Sequence, residues 1–414
     1  MKRIFSFVFL LGVVTCWLHA QLVYENRTYS PLVKTVTLRK TSKSFDAPVI
    51  SLQKGERLIL EFDDLREETK RYEYKLIHCN ADWTQSSLPS TEYTEGFDVQ
   101  PIETFENSFN TIQRYVHYTQ IIPSADMRIT KSGNYIIKVF AEGNEDNVIL
   151  TRRMYVCEDK TVVKTDVRPS QEASLFQTHQ QVNVRVEGKD GMFFQNPDRY
   201  MTVKVMQNNN DVAAHVLKMN SSSGSGIDFS YGTANQFAAG NEFRSFDFTS
   251  LRRKTQYVAE FDFVNNQNTV YLREMKLRDR LPYSKESDIN GNFYIRNEYG
   301  DNAGVTSDYA WVNFVLNTPM SLEGTYFVVG AMTDWRPAEM QFADGKYRLS
   351  LYLKQGYYNY MIAFGDRNAA LQDIRFKEND FAITNNVYTV LVYYHNFADD
   401  YDELIGYASV EYNH

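Results

Sequence analysis

Tyr72-Glu73-Tyr74-Lys75-Leu76-Ile77-His78 is the stretch that decides the fold. Its apolar and polar side chains alternate with a period of two, so an extended strand would show one face to a core and the other to water. Similar runs flank it. Residues 33–38 and 57–62 precede it, and residues 135–140 and 148–156 follow, joined by Gly143-Asn144-Glu145-Asp146. Strand, turn and strand at that spacing make a hairpin. Regularly spaced short strands suggest a β-sandwich, which we place at residues 21–160.

The same reading extends to the end of the chain. A second β unit is expected at residues 161–305, with strands at 181–186, 200–206 and 243–248. Its Asn220 to Gly226 stretch reads as a flexible loop. Residues 281–305 are polar and turn-rich, and read as connections or a junction. A third unit is expected at residues 306–414. Its strands lie at 309–316, 324–329, 347–353 and 357–362, with tight turns at Asp344-Gly345 and Gln355-Gly356. Hardly any segment holds a period of 3.6. The 29 Tyr and 27 Phe favour pleated sheet, and only 10 Pro and 20 Gly argue against a disordered chain. The expected class is all-β, with tandem immunoglobulin-like β-sandwich domains.

Residues 1–20 read as a cleaved signal peptide. Lys2 and Arg3 are followed by an apolar run from Ile4 to Val14 and a polar stretch ending at Ala20. That run is shorter than the about 20 residues a membrane span needs. Thr15 is a poor residue before Cys16, so a lipidated start is disfavoured. The net charge is −8, and losing Lys2 and Arg3 makes it more negative by two. An acidic chain lacks the basic footprint that nucleic acid or anionic lipid requires. No direct membrane insertion is expected.

No catalytic constellation emerges. The chain has no GxSxG elbow, no Walker loop and no GxGxxG. His78 and Cys79, followed by Asp82, are neighbours on a strand and point to opposite faces, so a shared metal ion is disfavoured. Asp63-Asp64, Glu67-Glu68 and Asp399-Asp400 read as solvated loops rather than a glycosidase pair. Asp46, Asp63 and Asp64 lack the spacing of a calcium loop. Trp83 follows Asp82 in what reads as a turn whose carboxylate accepts backbone N–H bonds while the ring covers the core. Cys79 and Cys157 either pair as a disulfide or stay as two buried thiols, and the second reading is preferred. The expectation is a protein that binds another molecule, with no enzyme activity, no cofactor and no metal.

Two resemblances sharpen this. Residues 45–52 and 58–65 are followed by His78-Cys79-Asn80-Ala81-Asp82-Trp83, Glu92-Tyr93, Gly96-Phe97, residues 108–113, His117-Tyr118, Ser132-Gly133-Asn134-Tyr135 and residues 240–247. In this order and spacing they resemble the plug-protein family of the type IX secretion system of Bacteroidota. The resemblance implies a periplasmic protein, held at the outer membrane by its partner. That partner is the outer-membrane translocon barrel, whose periplasmic mouth the plug would seal while no cargo passes. The strings near 78–83 are expected to determine the fold rather than to touch the barrel. Residues 328–335, with Met340, Asp344-Gly345, Leu349 and residues 356–360, are similar to glycogen-binding-type modules of immunoglobulin-like fold. That likeness implies a sugar-stacking role for Trp335. The second ligand-binding Trp of such modules is replaced here by Phe364-Gly365-Asp366-Arg367. A structural role for Trp335 is therefore preferred, and an exported carbohydrate-binding accessory protein is the alternative function.

Overall fold

The computed structural model describes residues 23–40, 45–224, 226–300, 302–367 and 374–413. The expected signal peptide, with Cys16, lies outside the described residues. The chain is all-β, and its sheets pair into three sandwiches.

The first sandwich is built from two facing sheets. One sheet runs Arg27–Thr28, Asn144–Cys157, Gly133–Ala141, Tyr72–Cys79, Val99–Pro101, with Val49–Ser51 added parallel to Asn144–Cys157. The facing sheet runs Val33–Lys40, Leu58–Asp64, Val116–Ile122, Thr104–Asn107. The alternation in Tyr72–Cys79 does its work here. Tyr72, Tyr74 and Leu76 enter the core, while Glu73 and Lys75 stay partly exposed. Phe62 stacks on Tyr118 with ring centres 4.9 Å apart, and Tyr72 meets Tyr118 edge-on at 5.0 Å. Such aromatic pairs contribute about 0.5–1.5 kcal/mol each beyond burial. The alternation ends at Ile77, His78 and Cys79, which are all buried because the outer face of the sheet is also covered there.

The other two sandwiches are not sequential. In the second, one sheet holds Thr161–Pro169, His179–Gly188, Gly226–Phe229, Ser221–Ser223 and Gln236–Ala238. The facing sheet runs His215–Leu217, Met201–Gln207, Asn386–Asn396, Tyr401–Tyr412. Its two last strands therefore come from the far end of the chain, in the register Val203 to Val392 and Val205 to Val390. The third sandwich is built wholly between them. One sheet holds Arg244–Asp247, Gly356–Gly365, Thr325–Val329 and Ala338–Glu339, with Phe293–Ile295 and Arg375–Phe376 also paired to Gly356–Gly365. Its partner sheet runs Val258–Val264, Gln267–Leu272, Tyr309–Leu316, Lys346–Lys354, Gln341–Ala343.

This pairing corrects the expected boundaries at 161–305 and 306–414. Residues 243–248 belong to the third sandwich, and residues 386–412 belong to the second. A period of two identifies a strand and its wet face. It carries no information about which distant strand lies beside it.

Tyr388, Val390, Val392 and Ile405 fill the core of the second sandwich beside Val203, Val205 and Phe237. Each contributes roughly 1.5–3 kcal/mol by burial. A chain ending at Thr384 should therefore lose the second sandwich selectively. Limited proteolysis read by mass spectrometry should cut first within residues 161–238 and spare residues 244–376. Early cutting within 244–376 would contradict the insertion.

Candidate functional site

The charged and polar groups that matter lie where the sandwiches meet. The first joint is built on His78 to Trp83. His78 is fully buried, its Nδ1 within 2.9 Å of Ser86 Oγ and its Nε2 within 3.0 Å of the Ser132 carbonyl. Tyr135 and Tyr401 meet the ring edge-on at 4.9 and 5.3 Å. Burial pushes its pKa down to about 4, so the ring is neutral at ordinary pH. Gly133, at φ +141°, passes so close that a Cβ would run into His78 Nε2. That is the physical reason for glycine in Ser132-Gly133-Asn134-Tyr135.

Asn134 carries the joint across to the second sandwich. Its Nδ2 donates to the Asn80 carbonyl at 2.9 Å, and Tyr393 OH donates to its Oδ1 at 2.7 Å. Ala81 N–H donates to Asp402 at 3.1 Å, and Lys204 donates to the Ala81 carbonyl. Asp82 accepts from Thr84 N–H at 2.9 Å, which is the expected turn. Trp83 sits at φ 70°, its ring under the Arg153 guanidinium at 4.2 Å and against Tyr155 at 5.4 Å. Arg153 also reaches Asp211 at 2.9 Å. A cleft of about 290 Å³ opens here, lined by Trp83, Arg153, Asp211, Asp334, Arg336 and Glu25 among others.

The second joint ties the first sandwich to the third through a buried ion pair. Asp63 stands at the end of Leu58–Asp64 and is fully buried. Its carboxylate accepts from Lys354 Nζ at 2.5 Å and from Tyr309 OH at 2.6 Å, and lies 2.6 Å from His117 Nδ1. Lys354 also donates to the Gly304 carbonyl at 2.5 Å and lies 4.1 Å from the centre of the Tyr115 ring. Burial would push the Asp63 carboxyl up. Lys354 and His117 outweigh it and hold the group ionised, below the ordinary carboxylate range. Burial draws the Lys354 ammonium below its ordinary value despite Asp63. Beside this pair, Asp308 accepts from the N–H groups of Ile112 at 2.7 Å and Gln113 at 3.1 Å.

Asp63-Asp64 was expected in a solvated loop, and both residues are instead fully buried. Asp64 is held by Arg66 at 2.8 Å and by Tyr72 OH at 2.6 Å. The signal that marks them is position: they continue an alternating strand without a turn residue between. Their cationic partners, especially Lys354, are too far away in sequence to be paired by eye. Asp46 is exposed, apart from them. Among the described residues, no group of three or more His, Cys, Asp or Glu is placed to hold a metal ion.

Trp335 lies at the rim of the same joint. Its neighbours both reach the first sandwich: Asp334 pairs with the buried Arg152 at 3.2 Å, and Arg336 pairs with Glu25. The Trp335 ring is half-buried, edge-on to Phe243 at 6.0 Å and packed beside Phe327, Val329 and Ala363. Gly291 passes beneath it, where a Cβ would strike the ring. The turn thus presents its charges to a neighbouring sandwich and its indole to the protein's own apolar groups.

The third joint is the crossing from the second sandwich into the third. Asn241 Nδ2 donates to the Glu378 carbonyl at 2.7 Å, and Thr384 Oγ1 donates to the Gly240 carbonyl at 2.9 Å. Arg244 and Arg278 clasp the buried Glu378 at 2.7 and 2.6 Å. Arg296 pairs with Asp247. Residues 240–247 therefore stitch the outgoing chain to the returning one.

Cys79 and Cys157 are both free and buried, which corrects the disulfide option. Cys79 stands beside Asn134, and Asn134 beside Tyr155. Two strand spacings, about 10 Å, exceed the roughly 7 Å over which Cα atoms can be bridged. Burial pushes each thiol up to about 12.

Residues 33–158, which contain the first two joint strings, match the family described as type 9 secretion system plug protein 1st domain. This first sandwich belongs to the type 9 secretion system plug family. The likeness to a solved structure runs further. A crystal structure of a hypothetical protein from Parabacteroides merdae ATCC 43184 is 29% identical, covers 94% of this chain and 100% of its own, and superposes with a TM-score of 0.90. The fold of all three sandwiches is thus shared with that protein. A biofilm-associated protein BSP domain covers 93% of this chain and 96% of its own, but at 8% identity and a TM-score of 0.15 it carries no argument. No curated protein matches the chain.

Two outcomes test this account of the joints. Lys354→Met leaves Asp63 buried without its cation and should cost about 3–5 kcal/mol in urea unfolding. Adding Asp63→Asn should recover at least about 1 kcal/mol, because the two changes act on one interaction; strict additivity would contradict the pair. Iodoacetamide at pH 8 should leave Cys79 and Cys157 unmodified in the native protein and label both in urea, as peptide mapping would show.

Proposed function

We propose that the chain is the periplasmic stopper of the type IX outer-membrane translocon, binding the barrel's mouth and closing it while no cargo passes. The match of residues 33–158 to the plug protein's first domain carries this reading. The architecture suits the task. A stopper has to keep its shape against a large, mobile partner. Here three sandwiches are bolted by the Asp63–Lys354, Arg152–Asp334 and Arg153–Asp211 pairs. Nothing in this role needs bond-making chemistry, and the proposed activity is binding alone. The signal-peptide-like start at residues 1–20 agrees with a periplasmic site of action.

The decisive measurement is purification of the outer-membrane translocon from native membranes, with cargo export running and with cargo export blocked. The chain should accompany the empty translocon and be depleted from the cargo-loaded one. Complete absence from the empty translocon would end the proposal.

A further inference from the structure

One side of the first sandwich is unfinished. Val99–Pro101 is the last strand of one sheet, and Thr104–Asn107 is the last strand of the other. Residues 99–107 therefore pass from one sheet edge to the other and form a single side wall. Among the described residues Thr104–Asn107 pairs only with Val116–Ile122, in the register Phe105 to Tyr118, and all four of its residues are exposed. An edge strand offers a row of unpaired N–H and C=O groups on its outer side. No backbone hydrogen bond from another described segment covers that row. Phe105 lies on the core side, 5.9 Å from the buried Tyr118 ring, yet is 44% exposed. Phe105 is thus open to water where a further strand would cover it.

The segment that carries this edge is acidic. Residues 90–113 contain Glu92, Glu95, Asp98, Glu103 and Glu106, and no Lys or Arg. Glu95 pairs with Arg128, and Glu106 accepts from Asn302. The carboxylates of Glu92, Asp98 and Glu103 have no basic partner among the described residues. In the same segment Phe97 and Phe109 are 70% and 72% exposed. Charges on an edge strand commonly serve to stop two copies pairing. Glu106 in the strand and Glu103 beside it do that, and they also favour a partner of the opposite sign.

We propose that the Thr104–Asn107 edge receives an extended, Lys- or Arg-bearing segment of a partner protein, added as an extra strand. Main-chain bonds to the open edge supply affinity, Phe105 supplies an apolar contact, and Asp98 and Glu103 select basic side chains. A second copy of this chain is a poor occupant, since it brings the same carboxylates. The proposal stands on this edge alone and holds whether or not the chain seals the translocon.

The test uses residues 21–414 and three synthetic probes: an eight-residue peptide alternating Lys and Val, one alternating Glu and Val, and the Lys–Val peptide N-methylated on its valines. Hydrogen exchange by mass spectrometry reads the backbone amides. The Lys–Val peptide should protect residues 104–107, and the Glu–Val peptide should not. N-methylation blocks strand pairing without changing charge and should abolish the protection. The variant Asp98→Lys/Glu103→Lys alters two exposed, unpartnered side chains and should weaken Lys–Val binding at least tenfold. Equal binding by the N-methylated peptide would reduce the surface to charge attraction and overturn the proposal. Protection elsewhere than 104–107 would overturn it too, as would protection at 104–107 by self-association without peptide.

Discussion

A carboxylate and an ammonium with no access to water govern how this molecule is assembled. Asp63 and Lys354 belong to different sandwiches, and each is tolerable in a dry interior only because the other is there. Removing two such ions from water costs several kcal/mol apiece, so the pair is a poor source of net stability. What it supplies is geometry. Tyr309, His117 and the Gly304 carbonyl complete the hydrogen bonding, and a rotated or displaced third sandwich would strip Asp63 of both Lys354 and Tyr309. A merely apolar contact would slide at much lower cost.

The same logic repeats at the other joints. Arg152 is buried against Asp334, and Glu378 is buried between two arginines at the crossing into the third sandwich. His78 contributes differently. It is neutral and works as a fixed hydrogen-bonding bracket, which Gly133 makes possible by having no side chain. Sequence strings that look like metal or catalytic motifs are here the fittings between β-sandwiches. Their chemical richness reflects the difficulty of joining two sheets whose faces also have to pack.

Much of the fold could be read from residue patterns alone, because a period of two is a local property. The strands around Tyr72 to His78, Tyr135 to Phe140 and Tyr309 to Leu316 announce themselves in that way. The turn at Asp82 and the structural setting of Trp83 were legible for the same reason. Partnership is not local. Nothing near Asn386–Asn396 says that it lies beside Met201–Gln207, so the second and third units were divided in the wrong place. Asp63 was misjudged similarly: two adjacent carboxylates look wet until a lysine from the far half of the chain is seen beside them. The two thiols were decided by strand spacing, which appears only once the sheet order is known.

The insertion of one sandwich within another also imposes an order of assembly. A chain made from its N-terminus can complete the first sandwich once residue 157 is available, and the third once residue 376 is. The second has its opening strands by residue 238 but waits for Asn386–Asn396 and Tyr401–Tyr412 before its core can close. Until then Met201–Gln207 lacks the long strand that covers its flank. The joint between the first and second sandwiches, which needs Tyr393, Tyr401 and Asp402, is equally late. The stretch 386–412 is thus the keystone: the molecule remains two finished blocks and an open one until those strands arrive.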